Sequence, residues 1–312
     1  MLEIILDSLV PIFFGMALGY VAGWTRDIDN KQVGVLNALV MDFALPAAIF
    51  GAVAQQSRAA LLDQIRLAVN LSISMLLLYV VTYFMARRMF HASPPEASAQ
   101  ALTTSSPNFG AAGLPLVGAL FGAHYLVAVA VALAVTGIVL SPLTLIILER
   151  HAAAGHKQGI ASSLLSAYKK PIVLTPLVAV LVVLSGIGMP EPLTKSFSLM
   201  GQVAGGTALF LTGLILSAQK IRLGKSVAIQ TLLANIIHPL LAAGLAVLFA
   251  LSPLTAREAI VLSALPAGFF GILFGLRFGV ASEVTGTTLV VSTILSAVTL
   301  SAAIYLTDGM GP

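Results

Sequence analysis

Three polar side chains stand where apolar sequence surrounds them, and each has chemistry available to it. Asp42 is the one charged residue between Gln32 and Ser57. Asn108 follows Pro107 within 97–148, a stretch free of Asp, Glu, Lys and Arg. His238 precedes Pro239 within the charge-free stretch 226–256. A carboxylate can take a proton or a cation, an amide can donate two N–H bonds to an anion, and an imidazole can do either. Covalent chemistry has no such support. The chain has no cysteine, so it has neither a thiol nucleophile nor a thiolate metal site. No H-E-x-x-H, G-x-S-x-G or G-x-x-x-x-G-K-[ST] pattern occurs, and no Ser/His/Asp spacing suggests a triad. The residues therefore point to reversible binding, with no metal site, no cofactor, no enzymatic activity and no use of ATP.

The elements that position these groups are long apolar helices. Of 312 residues, 58% are hydrophobic and 9% charged, against about 25% charged in a soluble domain. Mean hydropathy is +1.01. This composition excludes a soluble enzyme, a disordered chain and a nucleic-acid-binding domain. A membrane-spanning helix needs about 20 mostly apolar residues. The charge-free runs, with Asp42 tolerated, predict ten spans near 4–24, 32–55, 67–88, 98–121, 125–148, 171–188, 194–217, 226–250, 258–278 and 284–306. Glu3 and Asp7 with no basic cluster argue for a retained first helix, not a cleaved signal peptide. Asp42 then lies ten residues, or about 15 Å, into its helix.

Ten spans place the connections alternately on two sides. One side carries Arg58, Arg66, Lys195 and Arg257. The other carries Arg26, Lys31, Arg87, Arg88, Arg150, Lys157, Lys169, Lys170, Lys220, Arg222, Lys225 and Arg277. Positive charge in short loops marks the cytoplasmic side, so both termini are expected outside.

The two halves look related. Leu116-Val-Gly-Ala-Leu-Phe-Gly122 shares four of seven residues with Leu273-Phe-Gly-Leu-Arg-Phe-Gly279. Just upstream of each lies a proline-glycine break, Pro107-Asn108-Phe-Gly110-Ala-Ala-Gly113-Leu-Pro115 and Pro266-Ala-Gly268. Both fall in the fourth span of a five-span unit. Five is odd, so the second unit is inverted relative to the first. The expected organisation is a first repeat over 1–150, a cytoplasmic linker over 151–170 and a second repeat over 171–312. Paired interrupted spans in inverted repeats point to a transporter's binding site. Unwound backbone must face protein or a wet cavity, and the half-helix after each break turns a partly positive N-terminus toward the midplane. That suits a carboxylate.

At this point the residues resemble a family. Asn37-Ala-Leu-Val-Met-Asp-Phe-Ala-Leu-Pro46, Pro107-Asn108 through Gly113-Leu-Pro-Leu116, Lys169-Lys-Pro-Ile172, Ala208-Leu-Phe-Leu-Thr-Gly213 and Ala264-Leu-Pro-Ala-Gly268 through Arg277-Phe-Gly-Val280 are similar, in order, to motifs of the auxin efflux carrier family. The likeness is greatest to its bacterial malonate-transporter branch. The resemblance implies two inverted five-helix repeats with crossed broken helices in spans 4 and 9, and carriage of organic anions. It also implies an elevator, with spans 3–5 and 8–10 moving against a scaffold of spans 1, 2, 6 and 7.

The expected substrate contacts are Asn108, Ser105, Ser106, the backbone near Gly110 and Gly268, and Gln202, Thr207 and His238. Gly201, Gly205 and Gly206 leave room beside Gln202 and Thr207. Each has a bland alternative: Asn108 can satisfy carbonyls freed by Pro107, and His238 can be a packing donor. Asp42 is the candidate for the coupling ion, H+ or Na+, or else a structural acid beside Leu45-Pro46. Pro107, Pro115 and Pro266 are the expected helix breaks. Arg277, eleven residues past Pro266, is expected to be an interfacial anchor. The stripes Gly15-Gly19-Gly23 and Gly271-Gly275-Gly279 are expected to pack helices. The expected partners are a small carboxylate and the lipid bilayer of a bacterial inner membrane, not nucleic acid, with a homodimer an open alternative to a monomer. The leading expectation is a secondary carrier; an anion channel or a membrane sensor of the same ligands is the alternative. With no native cysteine to remove, a Cys placed at position 156 should resist an impermeant thiol reagent in intact cells and react after permeabilisation. Labelling in intact cells would overturn this topology.

Overall fold

The computed structural model describes residues 2–28, 33–152, 165, 167–218, 223–280 and 282–310. Most of the expected linker 151–170 lies outside them, as do Lys31, Lys157, Lys220 and Arg222. Regular structure among the described residues is helical throughout. In chain order the helices are α1 (Leu2–Thr25), α2 (Val33–Ala38), α3 (Leu45–Ala54), α4 (Arg58–Asp63), α5 (Ile65–Met89), α6 (Pro94–Ser105), α7 (Leu114–Leu120), α8 (Leu126–Val135), α9 (Ser141–Ala152), α10 (Pro171–Ser185), α11 (Glu191–Ser217), α12 (Lys225–Leu232), α13 (His238–Leu248), α14 (Pro253–Ser263), α15 (Phe270–Arg277) and α16 (Glu283–Thr307).

Six described helical stretches are long and apolar enough to cross a membrane: Val33–Ala54, Ile65–Met89, Leu126–His151, Glu191–Ser217, Lys225–Leu248 and Glu283–Met310. Counting ten crossings therefore means counting shorter helices such as Pro171–Ser185 and interrupted ones such as α6–α7 and α14–α15. Large apolar side chains cover the outside, among them Trp24 (76% exposed), Val247 (84%) and Tyr305 (73%). In water such a surface would be an association patch; in lipid it is the solvated face.

Among the described residues six prolines sit within continuous helix; Pro11 and Pro176 lie in uninterrupted α-helix, and the chain treats the other four alike. Pro46, Pro115, Pro142 and Pro239 each follow by two residues a π-helical turn, over Leu39–Ala44, Phe109–Gly113, Thr136–Leu140 and Leu233–Ile237. Proline cannot donate its nitrogen, and its ring crowds the carbonyl four residues back. Widening the preceding turn to bonds that reach five residues back relieves that crowding. The N–H groups of Leu45, Leu114, Ser141 and His238 make these longer bonds, to Val40, Phe109, Thr136 and Leu233. Pro115 is thus not a break, contrary to the expectation: helix runs from Phe109 through Leu120.

The breaks at Pro107 and Pro266 are genuine. α6 ends at Ser105 and helix resumes at Phe109, while α14 ends at Ser263 and α15 starts at Phe270. The two gaps meet in an isolated antiparallel bridge between Pro107 and Ala267.

Glycine sets the helix spacing. A Cβ on Gly19 would lie 1.8 Å from the Phe210 carbonyl oxygen, and one on Gly213 would lie 1.9 Å from that of Met16. Gly15 and Gly23 face Leu209 and Ser217 on the same partner, so the first stripe seats α1 on α11. The second stripe divides. Gly271 lies against Ala99 and Thr103 of α6, whereas Gly279 (φ +68°) has open space around it and turns the chain after α15. Gly19→Ala and Gly213→Ala should each destabilise the purified protein by about 1–3 kcal/mol, the usual cost of overpacking. Gly205→Ala and Gly206→Ala, with nothing within 4 Å, should be neutral or stabilising, since alanine is the better helix former. Thermal unfolding in detergent checks both halves.

Candidate functional site

The crossing is built from backbone first. The Asn108 N–H donates to the Pro266 carbonyl at 2.9 Å, and the Gly268 N–H donates to the Thr103 carbonyl at 3.1 Å. A side chain at 268 could not fit, because a Cβ there would lie 2.1 Å from the Ser106 carbonyl oxygen. The Ala267 N–H donates to Ser292 Oγ at 2.8 Å. Ser292 in turn donates to Asn235 Oδ1 at 2.6 Å, and Asn235 Nδ2 donates to the Ser292 carbonyl and to Thr299 Oγ1 at 2.9 and 3.2 Å. Each break thus hands its orphan backbone groups to the other break or to this buried amide–hydroxyl pair.

Several donors are left over. Asn108 caps the resumed helix, its Oδ1 accepting from the Ala111 N–H at 3.1 Å. It does not serve the carbonyls freed by Pro107. Its Nδ2 makes no hydrogen bond among the described residues. Ser106 Oγ is buried without a partner. The amides of Gly110, Phe270 and Gly271 donate to no described group. Two expected donors are spent: Ser105 Oγ donates to the Ala101 carbonyl at 2.7 Å, and the Gly268 N–H is held by Thr103. Among the described residues the donors left at the crossing are therefore Ser106, Asn108 Nδ2 and the amides of Gly110, Phe270 and Gly271, with no fixed cation among them. This arrangement can bind an anion through neutral, pre-oriented donors.

The other expected contacts sit elsewhere. His238 is fully buried, and neither ring nitrogen has a partner. Gln202 is exposed and Thr207 half-buried on α11, beside the open space at Gly205 and Gly206. A cavity of about 240 Å³ lies between α6, α11, α15 and α16, touching Ala99, Ile215, Gly271 and Thr285. A wider one of about 740 Å³ is lined by Glu96, Gln100, Lys225 and Ser282. Asn108 lines neither.

Arg277, at the end of α15, has a charged partner. Its Nη1 donates to Asp42 Oδ1 at 2.5 Å, which also gives Asp42 a defined partner. Asn37, the first residue of the motif ending at Pro46, donates Nδ2 to the Leu273 carbonyl at 3.0 Å. The residues that sequence reasoning missed are Asn235 and Ser292. Each is a neutral side chain in an apolar run, and His238, three residues past Asn235, was the only hint at that level.

The cap separates two roles of Asn108. Asn108→Ala removes it and should cost about 0.5–2 kcal/mol of stability, whereas Asn108→Asp retains an acceptor and should unfold near the wild-type temperature. Equal loss in both variants would show that the cap is not what matters for stability.

A family model described as membrane transport protein matches residues 4–304. A protein of Escherichia coli named "Uncharacterized transporter YfdV" is 28% identical over 309 residues, 98% of each chain. A "Putative malonate transporter" of Rhizobium meliloti is 26% identical over 311 residues, 96% of this chain and 95% of its own. An "Uncharacterized transporter" of Methanothermobacter thermautotrophicus is 25% identical over 304 residues. With its helices apolar on the outside and a match over almost its whole length, the chain belongs to the membrane transport protein family, that of the auxin efflux carriers, and is a membrane transporter.

Proposed function

We propose that the protein is a secondary active carrier of a small organic anion, malonate or a similar dicarboxylate, coupled to an H+ or Na+ gradient. The observation that carries this reading is the meeting of two helix breaks with donors to spare. A carboxylate entering a membrane must give up water, and an isolated desolvated charge is far more costly than a neutral group. Ser106, Asn108 Nδ2 and the Gly110 amide replace that water without placing a fixed cation in the path. An ion channel would need a continuous lining of charge or carbonyls, whereas the donors here are gathered at one place. The similarity to the Rhizobium meliloti protein named for malonate favours a dicarboxylate.

The mechanism we propose is an elevator in two inverted five-helix repeats, ten crossings in all, with both termini external in a bacterial inner membrane. Helix packing supports the division. α1 packs along α11, and α3 packs on α10 and α11, which fits a scaffold of spans 1, 2, 6 and 7. α6 packs on α5, α9 and α15, and α13 on α14, which fits a moving unit of spans 3–5 and 8–10. Gln202 and Thr207 would then belong to the scaffold wall, and His238 to the interior of the moving unit.

Counterflow in proteoliposomes tests the reading. Internal malonate should drive uptake of labelled malonate, dicarboxylates should compete better than monocarboxylates, and only one of an imposed Na+ or pH gradient should concentrate substrate. A hydrogen bond to a charged group contributes about 1.5–3 kcal/mol. Asn108→Ala should therefore weaken binding about tenfold to a hundredfold, and Asn108→Asp more, because it sets like charge against the anion. Flux without counterflow would replace the carrier by a channel. Full affinity in both well-folded variants would move the site away from the crossing.

A further inference from the structure

Asp42 and Arg277 form more than an isolated surface pair. Asn37 and Asp42 both reach α15, the first to the Leu273 carbonyl and the second to the Arg277 guanidinium. Leu273 and Arg277 are four residues apart and so share one face of α15. Asn37 and Asp42 are five apart, which in an α-helix would turn them about 140° from one another. The π-helical turn over Leu39–Ala44, whose bonds span five residues, reduces that offset. The bulge that accommodates Pro46 thus also aims two side chains at one neighbouring helix.

The clasp is partly open to solvent. The Arg277 and Asp42 side chains are 31% and 24% exposed. On its other side Asp42 lines a cavity of about 400 Å³ with Pro46, Pro171, Thr175 and Ser196, within the usual size of small-molecule pockets. The Arg277 guanidinium offers five donors in a fork that suits carboxylates. Among the described residues it gives one hydrogen bond, to Asp42.

We propose that Arg277 is a second carboxylate-binding site, occupied by Asp42 in the empty protein, and that a ligand carboxylate opens the clasp by taking Asp42's place. This rests on the carboxylate reading above. Separating α15 from the π turn with nothing in exchange would leave the guanidinium unpaired at the edge of the apolar region, which is unfavourable. An incoming carboxylate keeps Arg277 paired, while the released Asp42 keeps the cavity lined by Thr175 and Ser196 beside it. The site is separate from the crossing. α15 has eight residues and is about 12 Å long, so one malonate cannot reach both. Arg277 therefore acts on the route to or from the crossing, as a gate that recognises its own cargo.

Competition has a signature that a structural ion pair lacks. Malonate binding is measured by calorimetry on monodisperse, detergent-purified protein. Asp42→Asn removes the competitor and should tighten binding about tenfold. Arg277→Gln should weaken the second-site isotherm about tenfold or abolish it while the isotherm that Asn108→Ala weakens persists, and Arg277→Lys, which keeps the charge without the fork, should fall between Arg277→Gln and wild type. The double variant should bind no better than Arg277→Gln alone, the coupling expected of groups that act on one another. If Asp42→Asn and Arg277→Gln shift binding in the same direction, or neither shifts it, the pair is structural and the inference is wrong. If wild-type protein binds no member of a mono- and dicarboxylate panel, the carboxylate reading itself fails.

Discussion

In the hydrocarbon core no water is available to satisfy a backbone N–H or C=O, so a helix interrupted there needs partners from elsewhere in the protein. The two interruptions at 106–108 and 264–269 answer each other. Asn108 donates to Pro266, Gly268 donates to Thr103, and Ser292 takes the Ala267 amide. Neither break could survive alone in lipid, and so the first and second parts of the chain are committed to one fold. The need for contact explains why position 268 carries no side chain and why a polar pair, Asn235 and Ser292, is buried next to it. What remains after this mutual satisfaction, a few donors with nothing to bind, is what makes the crossing a candidate site.

Proline poses the same problem in a milder form, and at Pro46, Pro115, Pro142 and Pro239 the molecule meets it with π turns. The consequences reach past hydrogen bonding. At Pro46 the wider turn holds Asp42, which with Asn37 reaches α15. At Pro239 it holds Asn235, the residue that braces the second break through Ser292. Accommodation of the proline and placement of the polar side chain are achieved by the same local distortion.

Charge is used sparingly, and several of the charges withdrawn from water are paired. Arg257 is buried against Asp308 at 3.1 Å and lies over the Phe121 ring at 5.0 Å. Lys170 pairs with Glu149 at 3.0 Å, joining the start of the chain's second part to the end of its first. Arg277 pairs with Asp42. The crossing itself is free of fixed charge, so an anion there would meet oriented dipoles, whose attraction is easier to release at the end of a transport step than that of a buried cation.

The sequence by itself determined the class of the molecule. Apolar runs of membrane length, few charges and proline-glycine breaks at Pro107 and Pro266 are local properties, and they were legible because lipid imposes length and composition on each helix separately. Asn108 was legible for the same reason, as an amide at a break. Pro115 was misread, since a π turn that keeps a helix continuous through proline depends on packing around it. The fates of Ser105 and of the Gly268 amide, the bracing of Ala267 by Ser292 and Asn235, and the pairing of Arg277 with Asp42 were decided only by the tertiary structure. Each joins residues far apart in the chain, and whether a donor is free or spent depends on what the fold brings within 3 Å of it, which no local pattern encodes.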